Sequence, residues 1–278
     1  MTGLSANDLT RATSTALGAR DFIAQQGEIF AVFDSATQDS GNVAFGVKVG
    51  GERFFVKTAG SEQDARAFLA HRQRVALLRN AIRLRRSVPD PVLPVLHQVV
   101  ESADGPLLIY GWVEGELLAK RGAPGVELSS AFVRFRGLPA HEISEALERV
   151  FRLHVELARQ GWVASDFYDG CLMYDFSNRQ LHVIDLDNYR EGPFFNDMGR
   201  MFGSTRFMAP EEHELGVRID ERTTVFTLGR TIEQLFPAAD AGVQGIVARA
   251  CESHPRHRFQ TVHDFYRAWS AATPGLRA

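Results

Sequence analysis

The sequence predicts an α+β protein, with a strand-rich N-terminal part and a mainly helical C-terminal part. Residues 28–59 consist of short apolar segments separated by turn sequences, among them TQDSGN (37–42) and the Gly50-Gly51 pair. Apolar residues of 141–161 recur at helical spacing instead. Because the strands precede the helices along the chain, rather than alternating with them, the pattern favours an α+β fold.

The N-terminal part is expected to form an antiparallel meander with one helical region. Its predicted strands are EIFAVFD (28–34), VAFGVKV (43–49), RFFVKTA (53–59), VLPVLHQVVE (92–101) and PLLIYGWV (106–113). Residues 62–86 contain neither Gly nor Pro and space their leucines as in one or two helices. We interpret residues 1–27, which are polar and Ala-rich, as an N-terminal extension with a loose helix behind Ser5.

Residues 114–278 are expected to be mainly helical. The helix at 141–161 carries its apolar residues on one broad stripe, and Gly161 suits the position just after its end. The remaining predicted elements are short strands at CLMYD (171–175) and LHVIDLD (181–187) and helices near 222–236, 240–252 and 261–272.

Composition limits the classes of protein to be considered. The 278 residues carry a net charge of −3, so no basic field favours a nucleic-acid partner. Hydrophobic residues make up 45%, which excludes wholesale disorder, and the two cysteines are too few for a disulfide framework. No apolar run has the length of a membrane span, and the N-terminus does not resemble a secretory signal. We therefore expect a cytoplasmic protein with no membrane partner.

Aspartates are concentrated in two loops. Asp166 and Asp169 follow the helix at 141–161, and Asp185 and Asp187 end an apolar strand. A carboxylate at the end of a buried strand needs a partner, and a divalent cation with phosphate oxygens is one such partner. Helix caps and turns, where Asp is favoured in any protein, are the alternative interpretation.

Lys57 is the most informative basic residue. Only three of the 31 basic residues are Lys, and Lys57 lies within the apolar strand segment FFVKT. A lysine directed into a cleft is a point charge suited to phosphate. The alternative is a strand lysine that keeps its charge in water while its stem packs on apolar surface.

The segment GSTRFMAPEE (203–212) resembles the end of a protein-kinase activation segment, with the Ala-Pro-Glu element at 209–211. The segment TTVFTLGR (223–230) resembles the kinase helix that follows. The turn HPRHRF resembles the late Arg-containing turn of kinases, which implies a buried structural ion pair between Arg258 and Glu211.

This resemblance, to the protein-kinase-like superfamily and in particular to a divergent bacterial-type Ser/Thr protein kinase, spans about residues 28–272. It implies a bilobal fold with a β-rich N-lobe at 28–113, ending in the hinge, and a helical C-lobe at 114–278. ATP and Mg²⁺ are the implied cofactors, and the implied reaction transfers the γ-phosphate to a hydroxyl group.

The resemblance assigns a role to each charged candidate. Lys57 matches the lysine that holds the α- and β-phosphates, Asp166 the catalytic aspartate, and Asp185 the aspartate that binds Mg²⁺. Asp166 would orient the acceptor hydroxyl and accept its proton. Asp187 is a second candidate metal ligand, and Ser204 stands in the position that helps to fix Asp166 and the acceptor.

The segment LLIYGWVEGE (107–116) resembles the kinase hinge. Backbone groups of Gly111 and Val113 would then bond adenine, with Tyr110 behind it. The loop that covers phosphate in kinases is poorly represented, since Gly41 is the one glycine of DSGN.

The sequence departs from the kinase pattern at several positions. These are Ala164-Ser165 in place of the His-Arg that precedes the catalytic Asp, Tyr168 in place of Lys, Cys171 in place of a metal-binding Asn, Asp187 in place of Gly, and Thr224 in place of a supporting Asp. No acid follows Lys57 at the usual spacing, and Gln73 is the better-spaced residue.

Three interpretations follow. The retention of Lys57, Asp166 and Asp185 favours an active phosphotransferase with Ser or Thr of a protein as acceptor. A nucleotide-binding pseudokinase and a small-molecule kinase of the antibiotic-phosphotransferase type are the alternatives. An acidic or aromatic pocket built by residues 117–140 would favour the small substrate.

His154, on the apolar face of its helix, is interpreted as a core histidine.

Overall fold

The computed structural model confirms a mixed α+β protein, and the chain divides into two compact units, Met1–Val113 and Glu114–Ala278. The structure describes residues 9–34, 41–64, 67–119, 130–237 and 239–274. Within these residues, no helix combines the length and apolar character needed to cross a membrane.

A five-stranded antiparallel sheet forms the centre of the first unit, with the strand order β1-β2-β3-β5-β4. The strands are β1 (Glu28–Phe33), β2 (Val43–Val49), β3 (Glu52–Thr58), β4 (Leu96–Ser102) and β5 (Gly105–Gly111). Gly50 and Gly51 both have positive φ, 57° and 93°, which the tight turn between β2 and β3 requires. Each of these strands overlaps one that the sequence predicts, but β4 begins at Leu96 because residues 90–93 form a turn closed by Asp90.

The N-terminal segment belongs to the core of this unit. Helix α1 (Ala19–Gln26) buries Phe22 and Ile23 in the same apolar cluster as Leu9 and the inner residues of β2, β3 and β5. Before α1, the chain lies along the edge of the sheet, where the Thr15 N–H donates to the Glu101 carbonyl at 2.7 Å. The predicted helix behind Ser5 falls on residues outside the described part of the chain.

Helix α2 (His71–Ser87) covers part of the opposite face of the sheet. It buries Leu78, Ala81 and Ile82 together with Leu108 of β5. The helix begins later than the sequence predicts, because the Gln73 side chain accepts the Ala70 N–H at 3.0 Å and closes its first turn.

The second unit is mainly helical. Its helices are α3 (Ser130–Arg136), α4 (Ala140–Arg159), α5 (Glu221–Leu235), α6 (Ala241–Ala250) and α7 (Val262–Ala272). Helix α4 packs against α7, where the ring of Phe151 stacks on Trp269 and meets Phe265 edge-on. The sequence does not predict α3, which is only two turns long.

Short strands of the second unit hold its loops. They are β6 (Glu116–Leu117), β7 (Trp162–Val163), β8 (Leu172–Asp175), β9 (Gln180–Val183), β10 (Arg190–Glu191), β11 (Phe194–Phe195) and β12 (Arg218–Ile219). Strand β8 pairs with β6 and β9, β7 with β10, and β11 with β12. The strand predicted at 181–187 ends at Val183, because Asp185 adopts a left-handed backbone conformation.

We expect Phe22→Ala to lower the free energy of unfolding by about 3 kcal/mol, because truncating a buried aromatic side chain removes apolar contacts and leaves a cavity. Phe22 is 5% exposed, whereas Phe68, the matched control, is 71% exposed. Urea denaturation of both variants measures the difference. Equal losses would contradict the packing of α1 into this core.

Candidate functional site

Asp166 and Asp185 share an unusual backbone conformation. Their φ angles are 64° and 60°, in the left-handed region that few residues other than glycine adopt. Asp166 follows β7 by three residues, and Asp185 follows β9 by two. In both places the left-handed aspartate therefore lies in the loop directly after a short strand.

Cys171 connects these two turns. Its thiol lies 3.3 Å from the carbonyl oxygen of Asp166 and 3.9 Å from that of Asp185. The Cys171 carbonyl in turn accepts the Ile184 N–H at 2.8 Å. Burial raises the pKa of the Cys171 thiol well above its ordinary value, and the charges of Asp166 and Asp185 raise it further. The protonated thiol has a single hydrogen, which is donated to the nearer carbonyl, that of Asp166, and it is a poor ligand for a hard cation.

Asn188 contacts the carboxylate of Asp166 directly. Its Nδ2 donates to Asp166 Oδ2 at 2.8 Å. The sequence alone does not single out Asn188, since no motif assigns a role to that position. The sequence offers one indication of such a contact. Cys171 stands where the kinase resemblance implies an amide, so an amide from another loop could contact Asp166 instead.

His154 contacts Tyr189 and Phe167, which follow Asn188 and Asp166 in the chain. The Tyr189 hydroxyl donates to His154 Nε2 at 2.7 Å, and the His154 ring also meets Phe167 edge-on, with 4.6 Å between ring centroids. Nδ1 of His154 donates to the Val150 carbonyl at 2.8 Å. Burial lowers the pKa of His154 to about 4, so the ring is neutral and can accept at Nε2. The prediction of a core histidine is confirmed.

The segment 203–212 passes close to Asp166. Gly203 has a φ of 124°, and a Cβ atom there would lie 3.4 Å from Asp166 Oδ1. The carbonyl of Ser204 accepts the N–H groups of Phe207 and Met208 at 2.8 and 3.2 Å, which forms a turn at this point. The two carboxylate oxygens of Asp166 therefore have different neighbours, Asn188 on one and this segment on the other.

A buried ion pair fixes the far end of the same segment. Arg258 donates to both oxygens of Glu211, with distances of 2.6 and 2.9 Å, and both side chains are almost fully buried. The Thr223 hydroxyl adds a third hydrogen bond to Glu211 at 2.8 Å. Arg258 uses its remaining donors on the carbonyls of Arg222, Glu252 and Ser253. The ion pair implied by the kinase resemblance is confirmed.

Glu212 is a second buried carboxyl group beside this ion pair. It is 3% exposed, and its Oε2 accepts the Ala209 N–H at 2.7 Å. Burial raises the pKa of Glu212 to about 8, and the nearby carboxylates of Glu211 and Asp166 contribute to the increase. Glu212 is therefore largely protonated at neutral pH.

Thr224 supports the loop that carries Asp166. Its hydroxyl oxygen accepts the Ala164 N–H at 3.0 Å, and both residues are buried. The Thr224 hydroxyl thus supports the loop that carries Asp166.

The remaining loop aspartates lie in different surroundings. Asp169 is 1% exposed and forms an ion pair with Arg206 of the 203–212 segment. Asp185 is exposed, whereas Asp187 is only 5% exposed. Among the described residues, no group of three or more His, Cys, Asp and Glu is placed to bind a metal ion on its own. Mg²⁺ bound mainly by phosphate and water needs only one or two carboxylates, and exposed Asp185 fits that requirement.

In the first unit, Lys57 lies at the centre of the sheet and is 6% exposed. It pairs with Ala44 on β2 and Leu108 on β5. Because directly opposite residues of antiparallel strands share a face, the strand pairing also places Phe55 and Tyr110 on the face of Lys57. This is the face that α2 partly covers.

Hydrogen bonds within the first unit already use two backbone N–H groups of the segment that is predicted to contact adenine. The Gly111 N–H donates to the Val95 carbonyl at 2.9 Å, and the Trp112 N–H donates to the Arg53 carbonyl at 3.2 Å. The Gly111 N–H is therefore used within the first unit, and an adenine contact of Gly111 remains a prediction for its carbonyl alone. Val113 is the last residue of the first unit.

Gly41 has a structural reason to be glycine. Its φ is 85°, and a Cβ there would lie 2.4 Å from the Cβ of Ala67. Its carbonyl accepts from the buried guanidinium of Arg74 at 2.9 Å. The predicted role of Gly41 in covering phosphate remains a prediction.

Helix α2 supplies no acidic partner for Lys57. Its sequence from His71 to Ser87 contains neither Asp nor Glu. Gln73, the better-spaced residue in the sequence, instead closes the first turn of the helix. A small-substrate pocket is predicted for residues 117–140 if the chain is a small-molecule kinase, and residues 120–129 of that segment lie outside the described part of the chain.

No protein-family model matches the chain, and no curated protein matches it significantly.

We expect Arg258→Met to lower the free energy of unfolding by about 3–5 kcal/mol, because it leaves the buried Glu211 carboxylate without its cation. Arg256→Met is the matched control, since Arg256 is exposed two residues away. Thermal and urea denaturation measure both. Adding Glu211→Met to Arg258→Met should recover part of the loss, and equal effects of Arg256→Met and Arg258→Met would contradict a stabilising role for the ion pair.

Glu212→Gln should stabilise the protein increasingly as pH rises. Since the pKa of Glu212 is raised to about 8 from 4.5, folding favours its protonated form. The stability that the protonated Glu212 side chain contributes is fully present below pH 4.5 and is lost as the pH rises through 8. The stability difference between variant and wild type should therefore grow by up to about 1.4 kcal/mol per pH unit between pH 4.5 and 8. Urea titrations at a series of pH values measure it, and a constant difference would contradict the burial of a protonated carboxyl group.

Proposed function

We propose that this chain is an ATP- and Mg²⁺-dependent phosphotransferase of the protein-kinase-like type, which transfers the γ-phosphate to a hydroxyl group. One observation carries the proposal. The Asp166 carboxylate is held by Asn188 on one oxygen and has Gly203 beside the other. The segment that begins at Gly203 is fixed at its far end by the Glu211–Arg258 ion pair.

This arrangement suits a general base that receives an acceptor hydroxyl. Phosphoryl transfer depends mainly on positioning and on charge neutralisation, so a carboxylate with a fixed direction is what the reaction requires. Asp166 would orient the hydroxyl of the acceptor and take its proton. The anchored segment beginning at Gly203 would position the acceptor, and Ser204 within it favours Ser or Thr of a protein by resemblance.

The nucleotide would be bound by residues with separate tasks. Lys57 would contact the α- and β-phosphates as a point charge. The exposed carboxylate of Asp185 would bind Mg²⁺, which neutralises phosphate charge when present, and Asp187 is the second candidate ligand. The Gly111 carbonyl and the Val113 backbone would bond adenine, with Tyr110 behind it.

A nucleotide-binding pseudokinase is the second candidate function, and two observations favour it. Cys171 is a buried, protonated thiol where kinases carry a metal-binding Asn. Helix α2 contains no acid that could pair with Lys57. The first feature would remove a ligand of the metal, and the second would leave α2 unable to orient Lys57 toward phosphate. Neither feature would prevent a nucleotide from binding.

Nucleotide binding and phosphate transfer distinguish the two functions. We expect Mg²⁺–ATP at about 100 times its Kd to stabilise the wild type by about 2.7 kcal/mol, because a ligand specific for the folded state must raise its apparent stability. Asp185→Asn should lose the Mg²⁺-dependent part of this effect. Asp166→Asn should keep it but reduce transfer from γ-labelled ATP to added proteins by at least about 100-fold. Thermal shift and label transfer on the same samples measure both.

Asp21→Asn serves as the control, because it makes the same chemical change at an exposed position of α1. Binding without transfer in the wild type would favour the pseudokinase. Absence of nucleotide binding would contradict both functions.

A further inference from the structure

Asn188 is the least expected residue next to Asp166. It lies three residues after Asp185, in the loop that follows β9, and its amide nitrogen contacts Asp166 Oδ2 at 2.8 Å. A carboxylate accepts hydrogen bonds and a side-chain amide offers donors only at nitrogen, so chemistry fixes the orientation of this amide. The contact joins two loops that are 22 positions apart in the chain.

The surroundings hold Asn188 in place. Its neighbour Tyr189 is buried and hydrogen-bonded to His154, and the Tyr189 N–H donates to the Leu186 carbonyl at 3.2 Å. Phe167, the neighbour of Asp166, packs on the same His154 ring. Both partners of the Asn188–Asp166 contact are therefore adjacent to residues anchored on one buried imidazole.

Cys171 does not replace Asn188 as the donor to the Asp166 carboxylate. Its sulfur lies near the backbone carbonyls of Asp166 and Asp185, so it supports the two turns rather than the Asp166 carboxylate. The amide that kinases carry at that position is thus absent from the catalytic loop, while an amide from the neighbouring loop reaches the carboxylate.

We propose that Asn188 is a positioning residue, whose amide nitrogen holds one oxygen of Asp166 so that the other faces the acceptor beside Gly203. This inference rests on the proposed function, because Asp166 acts as the base only in that reaction. The hydrogen bond restrains rotation of the carboxylate and directs Oδ1 toward the segment that would carry the acceptor.

The kinetic test compares Asn188→Ala and Asn188→Asp with the wild type in γ-phosphate transfer. The aspartate variant keeps the size of the side chain but loses the donor. We expect kcat to fall on the order of 10- to 100-fold in both, a part of the ~10²–10⁴ that a positioned general base contributes. KM for Mg²⁺–ATP should change by less than about twofold, because the lost interaction serves the transition state rather than nucleotide binding.

Asn178→Ala is the matched control. Asn178 also donates its Nδ2 to a carboxylate at 2.8 Å, that of Asp175, but in the turn between β8 and β9. We expect this variant to keep the wild-type kcat. A fall in kcat for Asn178→Ala as large as that for Asn188→Ala would overturn the proposal, because a general loss of stability would then explain both.

A readout that needs no activity is the side-chain amide signal of Asn188 in ¹⁵N–¹H spectra, assigned by its loss in Asn188→Ala. Its hydrogen exchange should be slow in the wild type and fast in Asp166→Ala, while the Asn178 signal stays unchanged. Fast exchange in the wild type would overturn the contact itself.

The outcomes separate this inference from the proposed function. An active wild type with unchanged kcat in Asn188→Ala would overturn the inference alone. A wild type that transfers no phosphate to any acceptor would overturn the proposed function, and the positioning role with it.

Discussion

The geometry of the candidate site depends on one buried hydrogen bond, from the Tyr189 hydroxyl to His154. His154 can accept it because burial keeps the ring neutral and lowers its pKa to about 4. The bond fixes the loop after β9, while the packing of Phe167 on the same ring fixes the loop after β7. Asp166 is thereby held at a set distance from Asn188. A buried core residue thus anchors the two loops that carry Asp166 and Asn188.

Polar side chains of the second unit support the loop that carries Asp166. Thr224 accepts the backbone N–H of Ala164, two residues before Asp166. Asn188 supplies an amide to Asp166, while Cys171 ties the backbones of the two Asp-bearing turns. In the first unit, helix α2 offers Lys57 no acidic partner. The described hydrogen bonds therefore hold the Asp166 carboxylate in place, whereas the phosphate-binding role of Lys57 is a proposal from its position in the sheet.

Local patterns in the sequence predicted the strands and long helices because alternation and helical spacing are properties of short segments. The Glu211–Arg258 pair could also be predicted, since a motif specifies both partners. The packing of residues 9–26 could not be, because polar, Ala-rich composition says little about a segment whose few apolar residues meet a distant sheet. The contact from Asn188 to Asp166 could not be predicted for a different reason. It joins residues 22 positions apart and follows the left-handed turn at Asp185, which the apolar strand sequence before it does not indicate.

The central claim is that Asp185 and Asp166 serve the same Mg²⁺-bound nucleotide. The most direct measurement is a crystal structure with Mn²⁺ and a non-hydrolysable ATP analogue, in which anomalous scattering locates the metal. We expect manganese at the Asp185 carboxylate, with the nucleotide bound beside it and beside Asp166. Manganese or nucleotide bound at a place that involves neither carboxylate would contradict the central claim.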